Sequence, residues 1–518
     1  MRRMCIVGAI VAILAIVGII VATSKTREDA KKTVVDDTAA KLRAELAEKE
    51  RIAKAKEDAL AKARQQCEDL LRQADAAIAA RDYAKARAAV KSLEALDVPD
   101  FADEAKKKLA EIASREKSDA EWPGWRGQNR DAKSLETGLL KEWPADGPKL
   151  LWKVDDIGVG FSSVAVTGGR VYISGDIVLV DDATGKKAGK LMVFALDLNG
   201  KHVWQAEHGG SCGGPDGSRS TPVIDSGNLY IINGAGLIGC YDAKAGDKKW
   251  TREMKEFGGG RPGWSYSESV LIYKNLAIVT PGGKNCIVAL DKATGEKVWA
   301  SDGFAAGAQY GSCIAFTFEG VPLIVNGTHG GIVGVDARDG RVHFSDNWSA
   351  GNTANCTTPV YADGHVFWSN GYGKGGVCLK LKADGDKVTA ERAWTTSNLQ
   401  SHHGGYLIKD GLIYGNTEGG VVCLDLKTGE KKWGARGKGK GSLCYADGML
   451  YLFSESVGQA ALATCSPEGL EIKGNVQVKG NVQVKGKEGP SWAHPVVSGG
   501  RLYLRYDANL YCFDVKAP

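Results

Sequence analysis

Paired cysteines and an excess of charge are both missing from this sequence. Its 12 cysteines include no CxxC pair and no two neighbours, so a structural zinc site of the paired-cysteine type has little support. The formal net charge is only +5 in 518 residues, and Lys and Arg are spread along the chain. We expect no nucleic-acid partner, because a binding face needs basic residues concentrated with aromatics between them.

Aromatic and turn-forming residues are almost absent from residues 24–120, where Tyr83, Phe101 and Pro99 stand alone. The rest is mainly Ala, Lys, Glu, Arg and Asp, which predicts a helical arm. An apolar seam from Leu60 to Ala77 indicates that only the second part of the arm packs, behind a solvated stalk. The arm is interpreted as a spacer, with coiled-coil self-association or partner docking as the alternative.

Two details of the arm are predicted from shorter patterns. Asp82 is expected to restart a helix after a break. Ala84 and Ala88 are four residues apart on one helical face, so they are expected to provide a surface for close packing.

Charged residues are absent from Met4 to Ala22, a run of 19 residues that would span about 28 Å as a helix. We predict a transmembrane anchor over residues 1–23. A cleaved signal is the alternative, although Ile20 and Ala22 make a poor cleavage site. Arg2 and Arg3 favour a cytoplasmic N-terminus. The chain is therefore predicted to cross the cytoplasmic membrane once, with the remainder on the extracytoplasmic (periplasmic) side.

What the sequence does contain is a repeated unit, seen most clearly as ALDKATGEKVW from Ala289 to Trp299. Similar units end at Trp204, Trp250, Phe344 and Trp433. Each reads as a short strand, a turn with Asp and then Gly, and a second strand closed by an aromatic. The closing aromatics, with Trp394 included, are 39 to 50 residues apart. This spacing and the period-two alternation predict one four-stranded propeller blade per repeat.

One position of the repeat accepts only small residues. Cys240, Cys378, Cys423 and Cys512 occupy it, as do Ala195, Ala289 and Gly334 in other repeats. We interpret it as a small buried slot and these cysteines as packing residues.

The two ends of the repeat region are complementary. After the Trp-rich residues 121–148, which we call the lead segment, KLLWKV (149–154) carries a Trp without its turn, and the last repeat stops before its Trp strand. Trp152 is therefore expected to lie beside Cys512, closing a ring over residues 149–518. The fold is predicted to be an all-β, eight-bladed propeller, with seven blades possible because the repeat starting near Ser442 is irregular.

The repeats resemble the tryptophan-docking motif of the quinoprotein propellers, a superfamily of pyrroloquinoline quinone (PQQ) dehydrogenases and cofactor-free relatives. The chain is also similar to exported bacterial PQQ-like repeat proteins, whose best understood neighbour is the propeller lipoprotein of the outer-membrane β-barrel assembly machinery. The resemblance implies cell-envelope proteins as partners. It also implies a structural set in which an indole lies on a glycine peptide: Trp152, Trp204, Trp250, Trp299 and Trp433 with Gly200, Gly246, Gly295 and Gly429.

Residues just before each innermost strand should line the central funnel. The cofactor-binding candidates there are Arg219, Tyr266, Glu268, Tyr310, His402, Trp492 and His494. They form either a small-molecule site or an ordinary solvated mouth, and we favour the second interpretation. His402 and His403 are not expected to chelate one ion, because neighbouring strand residues point to opposite faces. No metal site and no catalytic set is predicted.

A quinone dehydrogenase would need a Glu and Asn pair to hold calcium, a carboxylate to accept a proton, and flat surfaces around the quinone. Many family members use a disulfide between adjacent cysteines as one such surface. This chain has none, and Glu268 is the one acidic funnel residue identified. We therefore expect no cofactor and predict a binding or scaffolding module. The alternatives are a PQQ- and calcium-dependent alcohol or sugar dehydrogenase, and a binder of envelope polysaccharide through Trp492 and Tyr266.

Overall fold

The computed structural model describes residues 25–180, 187–211, 217–351, 353–456, 458–480 and 490–518. It divides into two compact units on either side of the bond between Ala113 and Ser114. The predicted anchor over residues 1–23 lies outside the described residues. Of the helices that the structure does describe, none has both the length and the apolar character needed to cross a membrane.

The predicted helices are α1 (Lys25–Ala79), α2 (Tyr83–Glu94) and α3 (Ala102–Asp119), and the first unit contains them up to Ala113. The described early side chains of α1 are mostly exposed, as expected of a stalk. Its later residues Cys67 and Ala74 are fully buried in a cluster with Leu93 and Ile112. The seam thus packs against helices of the same chain, so these contacts give no support to a coiled coil.

Asp82 does cap α2, since its side chain accepts a hydrogen bond from the Lys85 N–H at 3.0 Å. The predicted Ala84 and Ala88 face is wrong, because both alanines are exposed. The buried face of α2 lies one residue away and carries the larger side chains, which bury more apolar area per residue. Its members are Tyr83, Ala86, Ala89, Val90 and Leu93.

The second unit is an eight-bladed propeller of four-stranded antiparallel sheets, and the seven-bladed alternative is wrong. The first four blades, from the inner strand outward, are β2–β5 (Ala165–Thr167, Arg170–Val180, Lys187–Asp197, His202–Gly210), β6–β9 (Val223–Asp225, Asn228–Ile232, Leu237–Asp242, Lys248–Glu253), β10–β13 (Leu271–Tyr273, Leu276–Val279, Val288–Asp291, Lys297–Ala300) and β14–β17 (Ile314–Phe318, Val321–Thr328, Gly331–Asp336, Val342–Asp346). The next three are β18–β21 (Val360–Ala362, His365–Asn370, Gly375–Asp384, Lys387–Thr396), β22–β25 (Tyr406–Lys409, Leu412–Thr417, Gly420–Asp425, Lys431–Ala435) and β26–β29 (Gly441–Ala446, Met449–Ser454, Gln459–Thr464, Ile472–Gln477).

The first strand and the last three strands of the repeat region build the eighth blade. It consists of β30 (Val496–Ser498), β31 (Arg501–Tyr506), β32 (Asn509–Asp514) and, as its outer strand, β1 (Lys149–Val154). Trp152 pairs directly with Cys512, as predicted. The ring is therefore closed by a strand from its own beginning, which leaves no open sheet edge at the junction.

The repeated turn is held by its Asp and its Gly. The Asp291 carboxylate accepts the N–H groups of Ala293 and Thr294 at 2.9 and 3.0 Å, and the Gly295 N–H donates to the Asp291 carbonyl at 2.8 Å. Gly295 has φ +74°, which a side chain would strain. Across the hairpin, Ala289 lies opposite Trp299. The small position faces the aromatic in the same way in the other blades except the seventh, so it is a packing slot.

The indole of each docking Trp covers the turn of the following blade. A Cβ on Gly295 would lie 2.6 Å from Cε3 of Trp250, whose N–H donates to the Lys292 carbonyl at 3.1 Å. The same arrangement joins Trp152 to Gly200, Trp204 to Gly246, Trp299 to Gly340 and Trp394 to Gly429. The N–H of Trp433 donates to the Ser466 carbonyl at 3.1 Å in blade seven.

Blade seven departs from the pattern because its small position holds Leu462, opposite Gly474. Trp143 of the lead segment packs against Gly474 instead and is only 4% exposed. The segment 121–148 thus contributes an aromatic where the blade's own outer strand has none.

Hydroxyl groups join the inner strands to one another. The Ser163 N–H donates to Thr221 Oγ1 at 3.0 Å, the Thr221 N–H to Ser269 Oγ at 2.9 Å, and the Ser269 N–H to Ser312 Oγ at 2.9 Å. The His494 N–H closes the last interval by donating to Ser163 Oγ at 2.9 Å. The Ser and Thr residues that lie two positions before these inner strands are therefore structural links.

Candidate functional site

The lead segment begins at the centre of the propeller and ends against the outer strand of blade seven. Its backbone or side chains hydrogen-bond to every blade, and Trp122 pairs with β2 in an isolated bridge. The partners, one from each blade in turn, are Val166, Ile224, Ser269, Cys313, Thr358, Tyr406, Tyr445 and Val515. Residues 122–134 therefore form a plug among the inner strands, and residues 139–147 run outward over blades eight and seven, so that the lead segment as a whole ties the eight blades together.

Two arginines hold the plug in place. Arg126 and Arg130 are 1% and 7% exposed, and both donate to backbone carbonyls at the starts of inner strands. Burial lowers the pKa of both guanidinium groups, that of Arg130 to about 10, so Arg130 remains charged at neutral pH. The acceptors are Gly404 at 2.8 Å and Tyr406 at 2.6 Å for Arg126, and Cys313 at 2.9 Å and Ser269 at 2.7 Å for Arg130.

A pocket of roughly 210 Å³ lies at the end of the channel where the chain enters the inner strands. The plug contributes Trp125, whose indole N–H donates to Thr358 Oγ1 at 2.9 Å. The lining combines six aromatic rings with a few polar groups. These residues are Trp125, Phe161, Trp264, Tyr310, Tyr372 and Trp492, together with Arg219, Ser267, Ala354, Cys356, His402 and His403.

Four of the seven predicted funnel candidates line this pocket: Arg219, Tyr310, His402 and Trp492. Arg219 donates to the Trp264 carbonyl at 3.0 Å, and its guanidinium lies 6.0 Å from the Phe161 ring centre. The Trp264 N–H donates to the Tyr310 hydroxyl at 3.1 Å. These contacts fix the polar side of the pocket.

The other three candidates, Tyr266, Glu268 and His494, are buried outside the lining. The Tyr266 hydroxyl donates to the Pro281 carbonyl at 3.0 Å, and His494 Nε2 hydrogen-bonds the His403 carbonyl at 2.8 Å. Glu268 accepts the Thr280 N–H at 2.6 Å, and burial raises its pKa to about 7. Tyr266 and Glu268 flank Ser267, which does line the pocket, as expected where side chains alternate along an extended chain. His494 lies two residues nearer its inner strand than Trp492.

Sequence reasoning missed Glu455, which follows β27 on a segment that does not precede an inner strand. Its carboxylate lies beside His402 and His403, and one ligand atom from each of the three residues falls within 4.8 Å of the others. His402 and His403 were not expected to bind one ion, because neighbouring residues of a strand point to opposite faces. That premise is wrong, because β22 begins only at Tyr406 and both histidines precede it. The sequence signal available was the HH pair itself.

The residues present do not fit a calcium-held quinone. Glu268 lies outside the pocket lining, with its Oε1 already bonded to the Thr280 N–H. The side-chain oxygen of Asn355 accepts the Ala350 N–H at 2.8 Å, so it is directed into its own loop. Glu268 and Asn355 therefore do not converge on the aromatic pocket.

Comparison with known proteins agrees with the fold. A family model described as "Outer membrane protein assembly factor BamB" matches residues 189–435. A protein of that name from Kangiella koreensis is 27% identical over 219 residues, covering 40% of this chain and 49% of that protein. The chain thus spans about half the length of this relative. The crystal structure of BamB from Moraxella catarrhalis has 16% identity and a TM-score of 0.50, covering 71% of this chain and 98% of that one, a likeness of fold alone.

Proposed function

We propose that this chain, a PQQ-like repeat β-propeller protein, acts as a binding and scaffolding module of the cell envelope. The observation that carries this proposal is the aromatic pocket on the plugged channel. Six rings converge there, and Trp264 is 64% exposed at the edge. Exposed aromatics around a partly enclosed apolar pocket are typical of the anchors that dominate protein–protein binding.

The partner we propose is an envelope protein that inserts an apolar side chain into this pocket. Arg219 and the hydroxyl groups of Tyr310 and Tyr372 supply polar contacts to the backbone of such a segment. The named relatives are outer-membrane assembly factors, which supports an envelope location and a protein partner. The uncharged run from Met4 to Ala22 supports a membrane anchor, and the helical arm a spacer between membrane and propeller.

The second candidate is an envelope glycan. It is favoured by the two most exposed pocket rings, Trp264 and Tyr372 at 64% and 52%, which are flat surfaces on which a sugar ring can lie. A glycan partner would compete with the protein partner for the same rings, so the two functions predict different effects of added envelope polysaccharide.

The test compares Trp264→Ala with Val298→Ala in the full chain. Trp264 lies in the loop that leads into blade three, and Val298 lies in the outer strand of that blade. Both are largely exposed, at 64% and 50%, but of the two only Trp264 lines the pocket. Proteins crosslinked to each variant in native membranes are identified by mass spectrometry. Loss of a hot-spot aromatic costs about 2 kcal/mol or more, so recovery of a specific envelope protein should fall roughly 30-fold with Trp264→Ala and stay unchanged with Val298→Ala.

Equal recovery by both variants would refute the pocket as the protein-binding site. Loss of the crosslinked protein on addition of purified envelope polysaccharide would favour the glycan instead. A change in melting temperature for either variant would show that the comparison measures folding, so melting curves accompany both.

A further inference from the structure

We propose that His402, His403 and Glu455 form a binding site for one divalent transition-metal ion, with zinc as the best matched chemistry. Two imidazoles and one carboxylate are a ligand set that zinc accepts, with a fourth position left for water or an incoming donor. The three ligand atoms already lie within 4.8 Å of one another. The site borders the aromatic pocket but does not depend on the partner proposed for it.

The donor atoms are available. His403 is 9% exposed, and among the residues that the structure describes neither of its ring nitrogens has a hydrogen-bond partner; the same holds for Nδ1 of His402. Buried polar groups are nearly always paired, so unpaired imidazole nitrogens facing one another indicate a missing ligand. Burial lowers the pKa of both histidines, which keeps them in the neutral form that binds metal.

A second layer of contacts orients the ligands. Nε2 of His402 hydrogen-bonds the Tyr372 hydroxyl at 2.8 Å, which leaves Nδ1 for the ion. The Trp492 indole N–H donates to Glu455 Oε1 at 2.8 Å, which leaves Oε2 for the ion. Such partners of metal ligands fix their tautomer and direction.

One ligand pair is already close to coordination distance. His403 Nδ1 and Glu455 Oε2 are 4.0 Å apart. Two ligands of a tetrahedral zinc ion, each about 2.0–2.1 Å from the metal, are about 3.3 Å apart. A shift of less than about 1 Å, well within side-chain rotation, would therefore bring this pair to ligand distance.

Lys440 competes with the ion. Its ammonium lies 3.2 Å from Glu455 Oε2 and 3.9 Å from a carboxylate oxygen of Glu418, which is largely exposed. When an ion binds Glu455, the lysine can turn to Glu418, since both carboxylates are within its reach. Removing the ammonium should therefore strengthen metal binding, whereas a simple Lys440–Glu455 ion pair without a metal role predicts no such gain.

The experiment uses tag-free full-length protein stripped with a chelator and titrated with zinc chloride by calorimetry, with cobalt spectra as a second readout. We expect one equivalent of zinc and a visible cobalt band that reports nitrogen and oxygen ligands. His403→Ala and Glu455→Gln should each weaken binding at least tenfold, and Lys440→Met should tighten it several-fold. His329→Ala, an exposed histidine outside the cluster, is the matched control and should change nothing.

Two results would overturn the site. One is the absence of zinc binding at 100-fold excess over protein in both wild type and Lys440→Met. The other is binding that persists unchanged in the His402→Ala, His403→Ala double variant, since the zinc would then lie elsewhere. Because a variant could lose the site by unfolding, near-ultraviolet circular dichroism is recorded for each, and the gain expected for Lys440→Met cannot result from misfolding.

Discussion

Replacing Gly295 with alanine would test how neighbouring blades are joined. The new Cβ would meet Trp250 Cε3 at 2.6 Å and Cδ2 at 2.7 Å, much closer than van der Waals contact. The indole would have to move, which strains the packing and weakens its N–H bond to the Lys292 carbonyl. Overpacking costs about 1–3 kcal/mol and a lost hydrogen bond about 1 kcal/mol.

Backbone strain contributes separately and has a matched control. Gly295 and Gly411 both have φ +74°, but a Cβ on Gly411 would meet nothing within 4 Å. Gly411→Ala should therefore show only the cost of the left-handed conformation, about 1–2 kcal/mol. Gly295→Ala should lose about 2–4 kcal/mol more, from the overpacking and hydrogen-bond costs together.

The measurement is guanidinium unfolding of both full-length variants, followed by near-ultraviolet circular dichroism, which reports the indole environments. Adding Trp250→Ala to Gly295→Ala removes the clash, so the double variant should lose less than the sum of the single losses. Equal destabilisation by Gly295→Ala and Gly411→Ala would refute the docking argument.

Two further predictions concern the plug and the buried acid. Arg126→Met would leave the carbonyls of Gly404 and Tyr406 without these donors, so the free energy of unfolding should fall by about 2–5 kcal/mol. The exposed Arg436→Met should change the free energy of unfolding by under about 0.5 kcal/mol. Equal effects of the two substitutions would contradict a stabilising plug. The pKa of Glu268 is raised to about 7 in the folded protein, so between about pH 4.5 and 7 the protein takes up a proton when it folds. The free energy of unfolding therefore falls as the pH rises through that window. Glu268→Gln should remove this loss, so the variant should be roughly 3 kcal/mol more stable than the wild type at pH 8. A difference between the urea midpoints of variant and wild type that stays the same at every pH would argue against this.

Much of the propeller could be predicted because its signals are local. The Asp and Gly of each turn, and the small residue opposite each aromatic, lie within eleven residues of one another, as in Ala289 to Trp299. The ring closure was also accessible, since the two incomplete ends are complementary. The helical arm was predicted from composition, but its packing face was not, because small size at Ala84 and Ala88 does not decide which side of a helix is buried.

The candidate site was predictable only in part. The rule that residues just before an inner strand line the funnel identified four residues that do line the pocket: Arg219, Tyr310, His402 and Trp492. The rule could not separate them from buried neighbours such as Glu268. Depth in the funnel depends on how the blades tilt and on what fills the centre. That is set by contacts between residues hundreds of positions apart.

The sequence by itself determined that blades repeat and how they join, because turn chemistry and strand alternation act over a few residues, and it left open whether there are seven or eight. Only the tertiary structure decided that residues 122–134 lie among the inner strands and that Trp125 belongs to the pocket. It also decided that Glu455 meets His402 and His403. Those results depend on where eight separate sheets bring their ends together, and no short stretch of sequence encodes that geometry.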